Sequence, residues 1–217
     1  MLYNIAALYT QLATSQSRIT AESLKRACQY FQQAAGSFDY LSHQTGDLRL
    51  PPGVVVDDFS ESTVDCLKSL MLAQAQECFW QKAVLDHMKD GLIARLAAQV
   101  SEFYDNALSA GMTSVNIPSD WITHITAKKL HFYSAAQYRK SIDAVSGAAG
   151  SNYGEEVARL QEALRNVNKA LERKNFLGRG VRDDLLGLQA MLQRVTERAE
   201  KDNDLIYLGN HEYTILM

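Results

Sequence analysis

Apolar residues recur every three or four positions through most of the chain, which is the spacing of amphipathic helices. The first such stretch covers residues 2–16. A second predicted helix begins near Thr20, whose hydroxyl suits an N-cap, and ends near His43. Its apolar stripe consists of Leu24, Ala27, Cys28, Phe31, Ala34, Ala35, Phe38 and Leu41.

Proline and glycine interrupt the helical pattern after this second helix. Two consecutive prolines and a glycine exclude a helix within residues 46–58, so this segment is predicted to be a loop. The next periodic stretch opens at Ser60 or Glu61 and continues to Leu108 without a proline. Because that length exceeds a typical globular helix, we predict a tight turn at residues 85–89.

The remainder of the chain continues as helices joined by short breaks. In order, the pattern predicts a break at 111–119, a helix at 120–146, a connector at 147–154, a helix at 155–174, a loop at 176–180 and a helix at 181–202. Helices joined by short loops pack as antiparallel neighbours. Small and aromatic residues within residues 132–164 are typical of tetratricopeptide helix pairs, although the repeat signature does not recur at a fixed period. The predicted fold is therefore all-α, with antiparallel helical hairpins and a tetratricopeptide-like core.

Composition narrows the class of protein. Hydrophobic residues make up 47% and charged residues 22%, which is typical of a folded globular chain. A net charge of −3 argues against nucleic-acid binding, which requires a clustered basic face. No apolar run approaches the roughly 18 residues of a membrane helix, and the N-terminus lacks the basic region of a signal peptide. Three cysteines in helical patterns suit a reducing compartment, so we expect a cytoplasmic protein.

The residues that carry chemistry do not form a recognisable catalytic, metal or cofactor site. His43, His87, His124, His131 and His211 lack metal-ligand spacing. The cysteines, Cys28, Cys66 and Cys78, lack a C-x-x-C pair and are predicted to be buried structural residues. Residues 178–180 lack the lysine of a phosphate loop and are predicted to form a turn. We therefore predict a non-enzymatic protein without a cofactor or metal.

One group of large apolar residues has two interpretations. Leu92 and Leu96 stand four positions apart and share a helical face, and Phe79 lies one helix earlier. Such residues form either the protein core or a groove for a partner helix. Spacing alone favours the core, because apolar stripes at helical spacing are usually buried.

Two long sequence blocks are distinctive: LMLAQAQECFWQKAV at residues 70–84 and KDGLIARLAAQVSEFYDNAL at residues 89–108. They resemble the Bro-one domain family, which includes Alix and fungal pH-response regulators of the PalA type. Further similar blocks follow the family order across nearly the whole chain: LYNIAALYTQLA, ESLKRACQYFQQAAGSF, YGEEVARLQEAL and KDNDLIY. The opening block and ECFWQKAV resemble the fungal PalA branch in particular.

The resemblance implies a helical domain of boomerang shape that binds an ESCRT-III subunit at endosomes. The implied ligand is the C-terminal amphipathic helix of a subunit of the Snf-seven type, called CHMP-four in animals. In the family, that helix lies against a phenylalanine and two aliphatic residues, which match Phe79, Leu92 and Leu96. Lys25 matches a polar residue of the same surface, whereas a nearby acidic position is Ala21 here. The resemblance thus favours a partner groove over a core.

The resemblance also implies that residues 1–217 are one partial Bro-one domain. The family domain begins before the position of Met1 and continues past Tyr207 into an extended, proline-containing segment. We therefore expect apolar residues of the first helix, such as Leu2 and Ile5, to lack their natural cover, and the chain to be prone to non-native self-association.

Two functions remain as hypotheses. The first is an ESCRT-associated adaptor that is cytoplasmic and is recruited peripherally to endosomes. It would act in endosomal sorting and, through the resemblance to the PalA branch, in ambient-pH signalling. The second is a generic helical-repeat scaffold whose groove binds an unrelated helix.

Overall fold

A computed structural model describes residues 1–45, 60–146 and 152–207, and the secondary structure in these ranges is helical. The predicted all-α class is thus confirmed. The predicted loop at 46–58 lies outside the described residues, as does most of the connector predicted at 147–154. The seven α-helices of these ranges are α1 Leu2–Thr14, α2 Ala21–Thr45, α3 Glu61–Leu85, α4 Asp90–Thr113, α5 Ser119–Ser146, α6 Tyr153–Leu171 and α7 Arg179–Asp202.

Side-chain caps fix the beginnings of the first long helices. The Thr20 hydroxyl accepts a hydrogen bond from the Ser23 amide at 3.2 Å, and the Ser23 hydroxyl accepts one from the Thr20 amide at 3.2 Å. Ser60 caps α3 in the same way by accepting from the Thr63 amide at 3.4 Å. Each cap satisfies an amide that has no partner inside its helix. The N-cap prediction for Thr20 is confirmed.

The predicted turn at residues 85–89 is confirmed, whereas the turn predicted at 178–180 is wrong for its last two residues. Helix α3 ends at Leu85 and α4 begins at Asp90. Gly178 is the N-cap of α7, so Arg179 and Gly180 already belong to that helix. A glycine in the first turn is tolerated because the Arg182 amide donates to the Gly178 carbonyl at 3.1 Å and closes the turn.

Residue contacts divide the chain into two compact units. Unit 1 comprises Met1–Asp86 and Glu102–Thr126, and unit 2 comprises His87–Ser101 and Ala127–Met217. The core of unit 1 contains every residue of the apolar stripe predicted for α2. The core of unit 2 is formed by α5, α6 and α7; its fully buried residues include Leu160, Val167, Leu185 and Leu192. The assignment of residues 1–217 to a single partial domain stays a prediction.

The outer face of α1 carries apolar side chains that reach solvent. Leu2 and Ile5 are each 37% exposed, and Leu8 and Leu12 are more exposed still. Their helical spacing places them along one side of α1, while Ala6 and Ala13 face the core. The expected exposure of Leu2 and Ile5 is confirmed. Self-association through this face stays a prediction.

A buried carboxylate connects several segments of unit 1. Glu77 in α3 is only 5% exposed. It accepts a hydrogen bond from the Tyr104 hydroxyl of α4 and pairs with the Arg18 guanidinium at 3.1 Å. The guanidinium carbon of Arg18 also lies 5.6 Å from the centre of the Phe31 ring. Burial, together with the Glu77 carboxylate, raises the pKa of Tyr104 well above its usual range.

We expect Glu77→Ala to lower the free energy of unfolding by about 2–3 kcal/mol, because it leaves the buried Tyr104 hydroxyl and the Arg18 cation without their carboxylate. Tyr104→Phe removes only one hydroxyl and is expected to cost about 1 kcal/mol. Urea unfolding followed by circular dichroism measures both values. Equal stability of Glu77→Ala and the unchanged protein would contradict a structural role for this network.

All three cysteines are buried, as predicted. Burial raises the pKa of the Cys66 thiol from its ordinary value of 9.0 to about 11. Burial, and to a smaller extent the neighbouring Cys78, raises the pKa of Cys28 to about 11. Because the thiolate is the nucleophile, these side chains are poorly reactive in the folded protein.

We expect the protein to lose stability as the pH rises from about 9 to about 11. The unfolded thiols ionise near 9.0, whereas folded Cys28 and Cys66 stay protonated up to about 11, so deprotonation favours unfolding across this interval. Urea titrations at a series of pH values measure the change. Replacing both cysteines by alanine should make the free energy of unfolding less dependent on pH in this range. Other groups that titrate at alkaline pH, such as Tyr104 and Cys78, should account for the dependence that remains. An unchanged pH dependence would contradict the contribution of Cys28 and Cys66.

Candidate functional site

A groove lined by α2 and α3 holds two of the four predicted site residues, Lys25 and Phe79. Its volume is about 330 Å³. Buried Leu24, Cys28 and Cys78 supply apolar surface, while Phe79 is 48% exposed and Lys25 is exposed. A phenylalanine that keeps about half of its surface in water retains apolar area that a partner can bury.

The orientation of Phe79 follows from its helical position. Successive residues of an α-helix are rotated by about 100° about the axis. Cys78 is turned into the core of unit 1 and is 2% exposed, so the next residue cannot point the same way. The core interpretation that spacing favours is therefore wrong for Phe79.

The rim of this groove carries uncompensated positive charge. Lys82 forms an ion pair with Asp86 at the end of α3. Lys25, by contrast, has no ion-pair partner among the residues that the structure describes. Ala21, at the first position of α2, has no carboxylate to offer, and it is exposed. A ligand with an acidic side chain near Lys25 would therefore meet a free cation.

The other two predicted residues, Leu92 and Leu96, lie in the first turns of α4, in the part that belongs to unit 2. Leu92 is 42% exposed and Leu96 is half-buried. Ile93 and Ala97 occupy the inward positions of these turns instead. Leu92 and Leu96 thus share one outward face, as their spacing predicts, and the core interpretation is wrong for Leu92.

The four residues thus fall into two pairs. Lys25 and Phe79 line one groove in unit 1, and Leu92 and Leu96 share one helix face in unit 2. Exposure at Phe79 and Leu92 is the property expected of apolar anchors for a partner. That these residues bind a helix remains a prediction.

A second pocket, of about 180 Å³, lies inside unit 2 and was not predicted from the sequence. Helix α4 contributes small residues and an arginine, α5 contributes two polar side chains and an alanine, and α6 contributes an arginine. A signal for it was present in α4, where three small residues flank Arg95 at helical spacing. The lining consists of Gly91, Ala94, Arg95, Ala98, Ala136, Gln137, Lys140 and Arg159.

The described ranges do not bring three or more histidine, cysteine or acidic side chains together in a way that could hold a metal ion. Within the same ranges, none of the helices combines the length and the apolar character that crossing a bilayer demands.

Comparisons with known proteins give one consistent family. A family model for a BRO1-like domain matches residues 1–210. The pH-response regulator protein palA/RIM20 of Emericella nidulans is 49% identical over 210 residues, which cover 96% of this chain and 24% of that protein. The palA/prr-1 regulator of Neurospora crassa is 45% identical over 211 residues, again 96% of this chain and 24% of the relative.

Two solved structures are also similar to this chain. A structure of an ALIX BRO1 CHMP4C complex matches with a TM-score of 0.85 and 32% identity, over 97% of this chain and 56% of that one. A Bro1-domain structure described as a basis for endosomal targeting matches in fold, with a TM-score of 0.79 and 22% identity over 99% of this chain and 57% of that one. The chain spans about a quarter of the length of the two fungal regulators. Because the BRO1-like family model extends over nearly the whole sequence, this chain belongs to the BRO1-like domain family.

Proposed function

We propose that this chain is the helix-binding part of a non-enzymatic, ESCRT-associated adaptor. Its ligand is the C-terminal amphipathic helix of an ESCRT-III subunit of the Snf-seven or CHMP-four type. Phe79, Leu92 and Leu96 supply apolar contacts, and Lys25 supplies a polar one. The observation that carries this proposal is the exposure of Phe79 beside an apolar groove, at the position where the family resemblance places an anchor.

The energetics suit such an interaction. Fully burying a leucine or phenylalanine side chain contributes about 1.5–3 kcal/mol, so the remaining exposed area of a few such residues can supply a large part of a micromolar affinity. A few buried anchors usually dominate the binding of an amphipathic helix. Lys25 adds orientation more than affinity, because an exposed ion pair contributes at most about 1 kcal/mol.

The named relatives support the choice of partner and process. CHMP4C is the partner named for the similar ALIX structure, and pH-response regulation is named for the similar fungal proteins. We infer that the chain acts in the cytoplasm, is recruited peripherally to endosomes, and serves endosomal sorting and ambient-pH signalling. The proteins named for pH-response regulation are about four times as long as this chain, so the inferred roles are tested on the binding step first.

We expect a synthetic peptide of an ESCRT-III C-terminal helix to bind the chain, and Leu92→Asp combined with Leu96→Asp to weaken binding by at least about 100-fold. Two carboxylates placed against an apolar helix face would lose their hydration on binding. Phe79→Ala should weaken binding by about 30-fold, because an aromatic anchor is lost. Isothermal titration calorimetry measures each dissociation constant.

Matched controls are available on other helical segments of the chain. Leu186→Asp introduces a charge at a leucine of α7 that is 40% exposed, and Phe176→Ala removes a phenylalanine that is 69% exposed. Both should leave the affinity unchanged. Affinity that survives the Leu92 and Leu96 substitutions would exclude these two residues as anchors. A folded chain that does not bind the peptide would favour the alternative function, a helical-repeat scaffold with an unrelated helical partner.

A further inference from the structure

The pocket in unit 2 combines an apolar floor with polar walls. Gly91, Ala94 and Ala98 of α4 and Ala136 of α5 provide small apolar surfaces. The polar lining residues are Arg95, Gln137, Lys140 and Arg159. A volume of about 180 Å³ is suited to one side chain rather than to a nucleotide or a folded ligand. Such a lining is complementary to a short aliphatic group that ends in a polar atom.

Gln137 is a buried donor without an acceptor. It is fully buried, and its Oε1 accepts a hydrogen bond from Arg159 Nη1 at 2.8 Å. That bond fixes the orientation of the carboxamide, because a guanidinium can only donate. The Gln137 Nε2 atom then has no hydrogen-bond partner among the described residues. An unsatisfied buried donor costs about 1–3 kcal/mol, so an incoming acceptor would gain from it.

The three cations of the pocket differ in how far they are neutralised. Arg159 pairs with Glu155 at 2.7 Å, and Lys140 pairs with Asp143 at 2.6 Å. Arg95 has no ion-pair partner in the part of the chain that the structure describes, and it is exposed. Three positive and two negative groups leave one net positive charge, which suits a monoanion.

The position of Arg95 on α4 connects this pocket with the proposed helix-binding face. Arg95 follows Leu92 by three residues, and residues three apart are neighbours on a helix surface. It directly precedes Leu96, whose side chain shares the face of Leu92. A ligand that lies on Leu92 and Leu96 therefore has its own side chains within reach of Arg95 and the mouth of the pocket.

We propose that this pocket receives the carboxylate of a single acidic side chain, preferably glutamate, from the helix bound at Leu92 and Leu96. The inference rests on the proposed function. The glutamate methylenes pack against Ala94, Ala98 and Ala136, and the carboxylate accepts hydrogen bonds from Arg95 and from Gln137 Nε2. The site thereby sets which acidic residue of the partner faces α4.

Other anions fit the same residues less well. A phosphate carries close to two negative charges at neutral pH, which exceeds the single net positive charge that remains after Asp143 and Glu155 pair with two of the cations. It also lacks an aliphatic stem to cover the alanine floor. A glutamate side chain matches both the single net charge and the apolar lining.

A double-mutant cycle between protein and peptide tests the inference. Each acidic residue of the ESCRT-III C-terminal helix peptide is replaced by glutamine in turn, and each peptide is titrated into the unchanged protein and into Arg95→Gln. We expect Arg95→Gln to weaken binding of the unchanged peptide about fivefold. For the one peptide whose pocket-binding glutamate is replaced by glutamine, Arg95→Gln should leave the dissociation constant unchanged. Arg173→Gln, which alters another exposed arginine of unit 2, is the matched control and should not change the affinity.

A second measurement follows the pocket itself. Nuclear magnetic resonance of the Gln137 side-chain amide is recorded while the same peptides are added, with sodium butyrate and sodium phosphate as free anions. We expect a large chemical-shift change of this amide when the unchanged peptide is added. The change should be small with the glutamine-substituted peptide on which Arg95→Gln has no effect.

The possible results separate the inference from the proposed function. Additive effects of Arg95→Gln with every acidic replacement, while the peptide still binds at Leu92 and Leu96, would overturn the inference and leave the proposed function standing. A shift of Gln137 with butyrate or phosphate but not with the peptide would also overturn it, since the pocket would then serve a free anion. Absence of peptide binding to the folded, unchanged protein would refute both.

Discussion

The buried carboxylate of Glu77 constrains the rotation of α3 within unit 1. A charge that is removed from water must be paired and hydrogen-bonded, so α3 can adopt only a rotation that brings Glu77 to both Arg18 and Tyr104. Residue 79 lies about 200° further around the same helix. The requirement that Glu77 face inward therefore places Phe79 near the opposite side, where it is exposed. The stability of the fold and the display of the proposed anchor depend on the same rotation of α3.

In the first turns of α4, apolar packing fixes the rotation of the helix and leaves large side chains exposed. Ile93 and Ala97 are buried in its first turns, and this burial fixes the rotation of the segment. Leu92 and Leu96 are then directed outward, and Arg95 lies at the pocket of unit 2. A helix whose rotation is set by small and medium-sized apolar residues can present large ones to a partner. Leucine at helical spacing is thus no reliable indicator of the core when alanine and isoleucine occupy the inner positions.

Several apolar residues of one helix can occupy its inward face, and this explains which features the sequence could and could not predict. The buried stripe of α2 was predictable because its apolar residues occupy one side of the helix. The turn at residues 85–89 was predictable because few globular helices are as long as the uninterrupted periodic stretch. The exposure of Phe79 and Leu92 was not predictable from spacing, because α3 and α4 carry apolar residues on several sides. Only the family resemblance indicated it. The pocket around Gln137 requires α4, α5 and α6 together, and the small residues that flank Arg95 in α4 indicate only one of its walls. The loop predicted at 176–180 extended two residues too far, because Gly180 is tolerated in the first turn of α7, which begins at Arg179.

Apolar anchors and unpaired cations contribute differently to recognition. Leucine and phenylalanine side chains gain binding energy from almost any amphipathic helix, so they discriminate poorly between partners and between registers of one partner. A cation that has no ion-pair partner among the described residues lies beside each proposed anchor region and adds discrimination. Lys25 lies next to Phe79 in the groove of unit 1, and Arg95 lies next to Leu92 on the surface of α4. In the proposed complex, a shift of the bound helix by one residue rotates its acidic side chains by about 100° and moves each of them away from its cation. Under the proposed function, we therefore expect specificity to depend on charges whose individual contribution to affinity is small.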